Sequence, residues 1–362
     1  MSPDAIIRRP IRVLVVDDSA FMRTALSHMI ASEAGLEVAA TACSGSEALA
    51  KIAALDPDVV TLDIEMPGLD GLQTLRCIMS QFPRPVIMVS AVTAKDADNT
   101  FNALAAGAFD YVPKNMSSTT LDIRHIRQDL ITKIRAAAQL RQSRSEAVPR
   151  KPPQSSPGET RDTTSHAAPA IVALGTSTGG PKALQEILPL FPRELSVPIL
   201  IVQHMPPGFT APFAQRLNTM CSVSVREATH GEPLHPGVVY IAPAGLHMTV
   251  RRPSDSHAIL CLDPHPKGSV HTPSVDVLMT SVAETYGNLA LGVIMTGMGD
   301  DGAQGMRAIH SHGGLTFGQD EATCTVYGMP RVCAEMGILT RVVPLSQIPA
   351  QILNATRYRK RA

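Results

Sequence analysis

Tryptophan is absent from this chain of 362 residues, and aromatic residues make up only 4% of it. A core with so few rings must be mainly aliphatic, which is typical of layered α/β folds. The chain also lacks any C-x-x-C pair among its six cysteines. The cysteines therefore indicate reduced thiols in a cytoplasmic protein.

Long apolar runs and an excess of one charge are missing as well. The apolar segments are short and interrupted, so no transmembrane helix is predicted, and the N-terminus lacks the apolar core of a secretory signal. Basic and acidic side chains both number 32. We therefore expect no nucleic-acid groove and no direct insertion into a membrane. The length predicts two domains, each with its own core.

Strands and helices alternate in the first part of the chain. Five βα repeats predict a parallel sheet with helices on both faces, and the last helix is expected to extend to about residue 141. The predicted strands are 12–16, 37–42, 59–62, 86–89 and 111–112.

Residues 142–169 interrupt this alternation. They contain five prolines and five serines without apolar periodicity, which predicts a flexible linker and neither a strand nor a helix. A second α/β pattern begins at residue 170. Its predicted strands lie near 171–174, 198–202, 238–241, 258–262, 289–295 and 315–317.

Five polar side chains fall where the predicted strands of the first part end: Asp17, Asp18, Asp63, Ser90 and Lys114. In a parallel α/β sheet these ends form the functional edge. Three carboxylates in one crevice repel one another unless they share a cation, and hard oxygen ligands suit Mg²⁺. A metal-bound aspartate beside a lysine and a hydroxyl predicts a phosphoryl acceptor. The alternative is that the aspartates only cap the following helices.

Residues from about 10 to 128 resemble the receiver domain of two-component response regulators, which has a flavodoxin-like (βα)5 fold. The resemblance rests on LVVDDSAFMR, DVVTLDIEMPGLDG, the serine at 90 and DYVPK. It implies that Asp63 is the phosphoacceptor. It also implies a Mg²⁺ site made by Asp17, Asp18, Asp63 and the backbone carbonyl of Glu65.

The same resemblance assigns the switch residues of the receiver. Ser90 and Lys114 would contact the phosphoryl group, and Tyr111 would be the aromatic residue that rotates when the domain switches. One position departs from the usual receiver pattern, because Asn115 follows Lys114 where receivers commonly have proline. The loop after Lys114 is therefore where the switching geometry is expected to differ.

A serine lies on a predicted strand-to-helix turn in IVALGTSTGGPKAL, residues 171–184. Ser177 follows an apolar strand, and a helix is predicted to begin at Pro181. Such a turn exposes the hydroxyl beside backbone N–H groups at a helix start, which suits a nucleophile next to an oxyanion site. The same loop could instead bind a phosphate or simply turn the chain.

His204 and the pair Asp300 and Asp301 also follow predicted strands. They are candidates for a general base and for the carboxylate that orients it. Residues 297–302 also form G-x-G-x-x-G, and Asp320 follows, which is nearly a dinucleotide fingerprint. The two aspartates would place negative charge where a pyrophosphate must bind, and this argues against a dinucleotide.

Residues from about 170 to 358 resemble the catalytic domain of chemotaxis protein-glutamate methylesterases, which implies a doubly wound α/β domain. The shared motifs are GTSTGGP, QHMPPGFT, YIAPAGLHM, HTPSVDVL, VIMTGMGDDGA and GMPR. The resemblance implies a catalytic triad of Ser177, His204 and Asp301. It also implies an oxyanion site that uses the backbone N–H of Met298, with Thr178 adjacent to the nucleophile.

Two further histidines, His247 and His271, lie in these motifs. We interpret them as structural or substrate-contacting residues. No histidine of this half has metal-ligand spacing with a cysteine or carboxylate.

Together the two resemblances imply a response regulator whose output is a hydrolase. It would demethylate glutamate methyl esters and deamidate glutamines on the cytoplasmic helices of methyl-accepting chemoreceptors. A chemotaxis histidine kinase would activate it by phosphorylation. Mg²⁺ is expected for phosphorylation, no cofactor is expected for hydrolysis, and we expect a cytoplasmic monomer. Two other functions stay open: a receiver-controlled cofactor-binding enzyme and a non-catalytic adaptor that binds receptors.

Overall fold

A computed structural model describes residues 9–90, 94–114, 120–146, 167–253, 257–266 and 269–357. The chain divides into two compact units, residues 1–154 and 155–362. The division falls inside the segment that the sequence predicts to be a linker, most of which lies outside the described residues. No helix in the described part of the chain combines the length and the apolar character needed to cross a membrane.

The first unit is a five-stranded parallel sheet with the strand order β2-β1-β3-β4-β5. Its strands are β1 (Ile11–Val16), β2 (Leu36–Ala42), β3 (Val59–Asp63), β4 (Val86–Ser90) and β5 (Asp110–Pro113). Its helices are α1 (Ala20–Ala31), α2 (Gly45–Leu55), α3 (Gly71–Gln81), α4 (Ala94–Ala105) and α5 (Thr120–Glu146). The predicted (βα)5 fold is confirmed.

Polar side chains at the starts of the helices explain where these elements begin. The Asp70 carboxylate accepts the Gln73 backbone N–H at 2.7 Å, and the Gln73 side chain accepts the Asp70 N–H at 3.2 Å, which is a capping box for α3. A Cβ at Gly71 would collide with the backbone oxygen of Asp63. Glycine therefore lets α3 begin directly against the end of β3, where Asp63 lies.

Helix α5 continues to Glu146, so residues 142–146 are helical and the prediction that the linker begins at 142 is wrong. The cause is that no residue from 141 to 148 blocks a helix, whereas Pro149 is the first that cannot continue one. Asn115, where the switching loop is expected to differ, lies outside the described residues.

The second unit has a seven-stranded parallel sheet with the order β14-β13-β12-β6-β7-β9-β8, and a separate antiparallel pair, β10 and β11. The strands are β6 (Ile171–Thr176), β7 (Ile199–Gln203), β8 (Ser224–Glu227), β9 (Val238–Ile241), β10 (His247–Arg251), β11 (Ile259–Asp263), β12 (Ala290–Ile294), β13 (Leu315–Gln319) and β14 (Arg341–Val343). The helices are α6 (Gly180–Ile187), α7 (Thr210–Met220), α8 (Val275–Tyr286), α9 (Ala303–Ser311), α10 (Met329–Glu335) and α11 (Ile348–Ala355). The doubly wound α/β prediction is confirmed.

Three strands of this unit were not predicted: β8, β10 and β14. The strands β8 and β14 are short, expose polar side chains and lie at the two edges of the sheet, so they lack the continuous apolar run of a buried parallel strand. The predicted strand at 258–262 exists as β11, but it pairs with β10 outside the main sheet. The pattern of polar and apolar residues predicts that a segment is a strand, but it does not predict with which strand it pairs.

Strand β6 lies in the middle of the sheet, between β12 and β7. Its whole length is buried, as are β7 and β12. Helix α8 packs its apolar face, including Val275, Leu278 and Met279, into the core of this unit. Because the three strands are parallel neighbours, the loops after β6, β7 and β12 emerge at one edge of the sheet.

Candidate active site

Ser177, His204 and Asp301 lie on the three loops that follow β6, β7 and β12. The register pairs Thr176 with Gln203, so the residues that follow them, Ser177 and His204, leave neighbouring strands side by side. The His204 backbone N–H donates to the Thr176 carbonyl at 3.1 Å. The structure thus brings the nucleophile and base candidates to one edge of the sheet.

The Ser177 loop is a tight turn held by its own backbone. The Ser177 N–H donates to the Thr296 carbonyl at 3.0 Å, and the Gly180 N–H donates to the Ser177 carbonyl at 2.8 Å. Gly179 has a φ of +79°, and a Cβ there would collide with Thr325. Only glycine fits this position without strain. The Ser177 side chain is left half-buried at the start of α6.

His204 and Asp301 form a hydrogen-bonded pair. The distance from His204 Nε2 to Asp301 Oδ2 is 2.8 Å, and the two side chains are only 8% and 12% exposed. The His204 ring also stacks on the His271 ring, with 4.0 Å between ring centroids. His204 Nδ1 is buried and has no hydrogen-bond partner among the described residues. The carboxylate therefore occupies one ring nitrogen and leaves the other for a different group.

The Asp301 carboxylate is also bound to the first turn of α8. It accepts hydrogen bonds from the Ser274 hydroxyl at 2.8 Å and from the backbone N–H groups of Val275 and Asp276 at 2.8 and 3.0 Å. Burial by itself would raise the pKa of Asp301, but the hydrogen bonds from His204 and from these N–H groups outweigh it and hold the pKa well below its usual value. The carboxylate therefore stays ionised beside His204.

Asp276 makes the reciprocal contact. Its Oδ1 accepts the backbone N–H groups of Gly302 at 3.0 Å and Gly305 at 2.8 Å, at the start of α9. Burial raises the pKa of Asp276, and the nearby Asp301 charge adds to this effect. Asp301 thus binds the N-terminus of α8, and Asp276 binds the N-terminus of α9. These contacts fix α8, α9 and Asp301 relative to one another.

The oxyanion candidates flank the Ser177 loop. Thr178 is buried, and its carbonyl accepts the Thr296 hydroxyl at 2.9 Å. Thr296 also accepts the Ser177 N–H, and its own N–H donates to Gln319 Oε1 at 2.8 Å. Met298 lies two residues further along the same loop. The backbone N–H groups of Thr178 and Met298 donate no hydrogen bond within the described residues.

His247 is fully buried, and its Nδ1 accepts the Ser274 backbone N–H at 3.2 Å. Burial lowers the pKa of His247. His247 thus orders the turn that carries Ser274, whereas His271 lies directly on the base candidate. The sequence reasoning missed Ser274, Asp276 and Thr296, whose only signal was their presence in the motifs HTPSVDVL and VIMTGMGDDGA.

Residues 297–302, the glycine-rich segment, do not form a nucleotide cradle in this arrangement. The Asp301 carboxylate is already engaged by His204 and α8, and the segment pairs with Tyr327 through a β-bridge at Gly297. This geometry favours the triad interpretation over the dinucleotide interpretation.

The first unit brings its predicted residues together as well. Asp17, Asp18 and Asp63 offer carboxylate oxygens that all lie within 4.8 Å of one another. Lys114 Nζ lies 3.0 Å from Asp17 Oδ2 and 2.6 Å from Asp63 Oδ2. Burial raises the pKa of Asp63 to about 6, against the opposing effect of Lys114. Burial would lower the pKa of Lys114, but the two carboxylates outweigh it and raise that pKa.

The remaining receiver residues border this cluster. Ser90 is buried and lies at the end of β4, where its hydroxyl accepts the Thr100 hydroxyl at 2.9 Å, and its carbonyl accepts the Lys114 N–H at 2.7 Å. Glu65 follows β3 with an exposed side chain. The Tyr111 ring on β5 is buried, with Lys133 Nζ 5.4 Å from its centroid.

Comparison with known proteins gives a match for each of the two units. A family model described as CheB methylesterase matches residues 172–352, and one described as a response regulator receiver domain matches residues 13–125. A protein-glutamate methylesterase/protein-glutamine glutaminase of Desulfitobacterium hafniense is 43% identical, with 97% of this chain and 99% of that protein covered. The chain belongs to this methylesterase/glutaminase family.

Other members of the methylesterase/glutaminase family are equally similar. The protein of that name from Symbiobacterium thermophilum is 45% identical, with 96% of this chain and 98% of that protein covered. Among solved structures, the crystal structure of the Thermotoga maritima CheB methylesterase catalytic domain matches with a TM-score of 0.50 and 38% sequence identity. The match covers 52% of this chain and 99% of that domain. The expected membership of this family, the hydrolase class and the receiver domain are confirmed.

Proposed function

We propose that this chain demethylates glutamate methyl esters on cytoplasmic chemoreceptor helices, giving glutamate and methanol, and that it deamidates glutamines at the same site. The observation that carries the proposal is the orientation of His204. Asp301 accepts a hydrogen bond from Nε2 at 2.8 Å, while Nδ1 is buried without a partner among the described residues. A ring held in this way has a proton on Nε2 and a free lone pair on Nδ1, which is what a general base needs.

In the first step Ser177 Oγ attacks the side-chain carbonyl carbon of the methylated glutamate. Its proton passes to His204 Nδ1, and the ionised Asp301 stabilises the resulting imidazolium. The backbone N–H groups of Thr178 and Met298, which have no partner within the described residues, donate to the developing oxyanion.

In the second step the tetrahedral intermediate collapses and the bond to the methoxy oxygen breaks. His204 Nδ1 returns the proton to this oxygen, and methanol leaves. Water then attacks the acyl group on Ser177 with His204 again as base, which releases glutamate. With glutamine the same sequence releases ammonia, a poorer leaving group, so deamidation is expected to be slower than demethylation.

The first unit is proposed to accept a phosphoryl group on Asp63 from a chemotaxis histidine kinase and thereby to activate the hydrolase. The donor set fits Mg²⁺, because Asp17, Asp18 and Asp63 converge hard carboxylate oxygens within 4.8 Å, and the carbonyl of Glu65 would complete it. Bound there, Mg²⁺ supplies charge that offsets the phosphoryl oxygens. Lys114 supplies a second cation 2.6 Å from Asp63, and Ser90 supplies a hydroxyl.

A serine-directed fluorophosphonate probe tests the catalytic proposal on the full-length protein. The probe should label one residue, Ser177, as located by peptide mass spectrometry, and labelling should be lost in Ser177→Ala. Ser224→Ala, a change at an exposed serine at the start of β8, should label like the parent protein. Labelling at another residue, or undiminished labelling of Ser177→Ala, would contradict the proposal.

A further inference from the structure

Gln203 is a buried amide at the end of β7, with only 1% of its surface exposed. Its Nε2 donates to two carbonyl oxygens at once, that of Ser177 at 3.0 Å and that of His204 at 3.0 Å. These carbonyls belong to the proposed nucleophile and the proposed base. We propose that Gln203 is a positioning residue that holds the nucleophile loop and the base loop at a fixed separation, an inference that rests on the proposed hydrolase function.

The position of this bridge explains why it is needed. The ladder between β6 and β7 ends with the pair Thr176 and Gln203, and its last contact is the His204 N–H to the Thr176 carbonyl at 3.1 Å. Beyond that contact the chains separate, since β6 continues into the turn before α6. Gln203 is the side chain that reconnects them at the reacting residues.

The hydrogen bond to Ser177 also aims a proposed oxyanion donor. The carbonyl of Ser177 and the N–H of Thr178 belong to one planar, trans peptide unit, so they point in opposite directions. Fixing the carbonyl oxygen with Gln203, together with the Gly180 N–H at 2.8 Å, therefore fixes the direction of the Thr178 N–H. One side chain thus sets both the base and the oxyanion donor relative to Ser177.

The other end of the same amide indicates that Gln203 adds little net stability, because its unpaired oxygen offsets part of what the two hydrogen bonds contribute. Gln203 Oε1 is buried without a hydrogen-bond partner among the described residues. A buried, unsatisfied carbonyl is destabilising, and an apolar side chain of similar size would avoid that cost. Reversing the amide would only set Oε1 against the carbonyl oxygens of Ser177 and His204. The two acceptors therefore dictate the orientation that leaves Oε1 unpaired.

The start of α6 is shaped around this amide. A Cβ at Gly180 would collide with Gln203 Oε1 and with the Thr176 hydroxyl. Gly180 has no positive φ to explain its identity, so the close approach of Gln203 and Thr176 is the reason that glycine is required.

The test is the steady-state release of methanol from a methylated receptor-helix fragment by full-length Gln203→Met. Methionine matches the length of glutamine but donates no hydrogen bond. The value of kcat should fall by about 30-fold or more, because small displacements of catalytic groups cost about two orders of magnitude in rate. KM should change by less than about two-fold. The unfolding temperature should change little, because removal of the unpaired carbonyl offsets the loss of the two donated hydrogen bonds.

Two further variants make the result decisive. Gln203→Asn keeps an amide that is too short to reach both carbonyls, and it should also lower kcat. Thr316→Val removes the buried hydrogen bond from the Thr316 hydroxyl to the Ile338 carbonyl, near the opposite end of the same sheet, and should lower stability while leaving kcat unchanged.

Ser177→Ala in the same assay separates the two proposals. If it stays active, the proposed function itself fails. If it is inactive while Gln203→Met keeps the parent kcat, only the positioning role is wrong. A loss of kcat in Gln203→Met that comes with a matching loss of thermal stability, as for an ordinary core defect, would also overturn the positioning role.

Discussion

The Asp301 carboxylate joins two tasks, since it holds His204 Nε2 at 2.8 Å and accepts the N–H groups of Val275 and Asp276. Because the helix N–H groups stabilise the ionised carboxylate, the hydrogen bond from His204 to Asp301 does not depend on pH over the neutral range. The helix N–H groups and His204 together keep the pKa of Asp301 depressed despite its burial. The stability of the fold and the proposed catalysis therefore depend on the same charge, that of Asp301.

Asp301→Asn should lower the free energy of unfolding by about 2 kcal/mol at neutral pH, because a neutral amide binds these donors less strongly than a carboxylate. A depressed folded-state pKa stabilises the fold above the unfolded pKa of about 4, and this contribution is lost as the pH falls through the folded-state value. The difference between the variant and the parent should therefore be constant at about pH 5 to 8 and shrink below about pH 4.

Denaturant unfolding at a series of pH values measures this difference. Asp300→Asn is the matched control, because Asp300 is the exposed neighbour and its side chain makes no hydrogen bond to α8 or His204 within the described residues. It should unfold like the parent protein at every pH. A stability loss for Asp301→Asn that does not depend on pH would show that the charge is not what stabilises the site.

The sequence predicted the kinds of residue at both sites, because chemistry restricts a nucleophile, a base and a metal ligand to few side chains. It did not predict Gln203, Thr296 or Asp276. Their roles depend on which backbone groups lie within about 3 Å in space, and neither residue type nor spacing contains that distance. The structure shows the positions and contacts of Ser177, His204 and Asp301, and their catalytic roles are predictions.

At the scale of elements, α8 and α9 begin as a reciprocal pair. Asp301, just before α9, binds the first N–H groups of α8, and Asp276, in the first turn of α8, binds the N–H groups of Gly302 and Gly305. Each helix start thus donates hydrogen bonds to a carboxylate at or just before the start of the other helix. Any rotation of one helix start would move Asp301 away from His204.

Asp276→Ala should lower the free energy of unfolding by about 1 to 2 kcal/mol through the lost cap, and kcat for methanol release by about ten-fold, because Asp301 is then less firmly placed. Asp276→Asn is the matched control. It retains the Oδ1 acceptor used by both glycine N–H groups and should recover most of the activity. An Asp276→Ala protein with lowered stability and unchanged kcat would show that this cap does not position Asp301.

The element boundaries were predictable wherever a strand was buried on both faces. The strands β1, β3, β6, β7 and β12 are mostly buried and mainly apolar, and they lie within one or two residues of their predicted positions. The prediction missed three strands: β8, β10 and β14. It located β11 but not its pairing with β10, since the sequence of a partly exposed strand does not specify its partner. Helix α5 was cut short in the prediction because polar residues suggested a linker before the first proline.

At the scale of the whole molecule, a receiver domain and a hydrolase domain are present in one chain. The carboxylate cluster of Asp17, Asp18 and Asp63 with Lys114 lies in the first unit, and the proposed triad lies in the second. The proposed function requires that a change at Asp63 alters the rate at Ser177. The test of this requirement is to measure phosphoryl gain and methanol release on the same protein.

Full-length protein incubated with acetyl phosphate and Mg²⁺ should gain one phosphoryl group by intact mass, and its rate of methanol release should rise. Asp63→Asn should gain none and keep only the basal rate, because the carboxylate nucleophile is gone. Removal of Mg²⁺ with a chelator should abolish phosphoryl gain in the parent protein. Asp98→Asn, a change at an exposed carboxylate on α4, should respond like the parent. Equal activation of Asp63→Asn would contradict the proposed regulation.

The central claim is that Ser177 attacks the ester with His204 as its base. The most direct measurement is methanol release from a methylated receptor-helix fragment by Ser177→Ala, compared with the parent and with Ser311→Ala, a change at an exposed serine at the end of α9. We predict that Ser177→Ala loses about 10⁴-fold in kcat while Ser311→Ala is unaffected. Undiminished methanol release by Ser177→Ala would contradict the account.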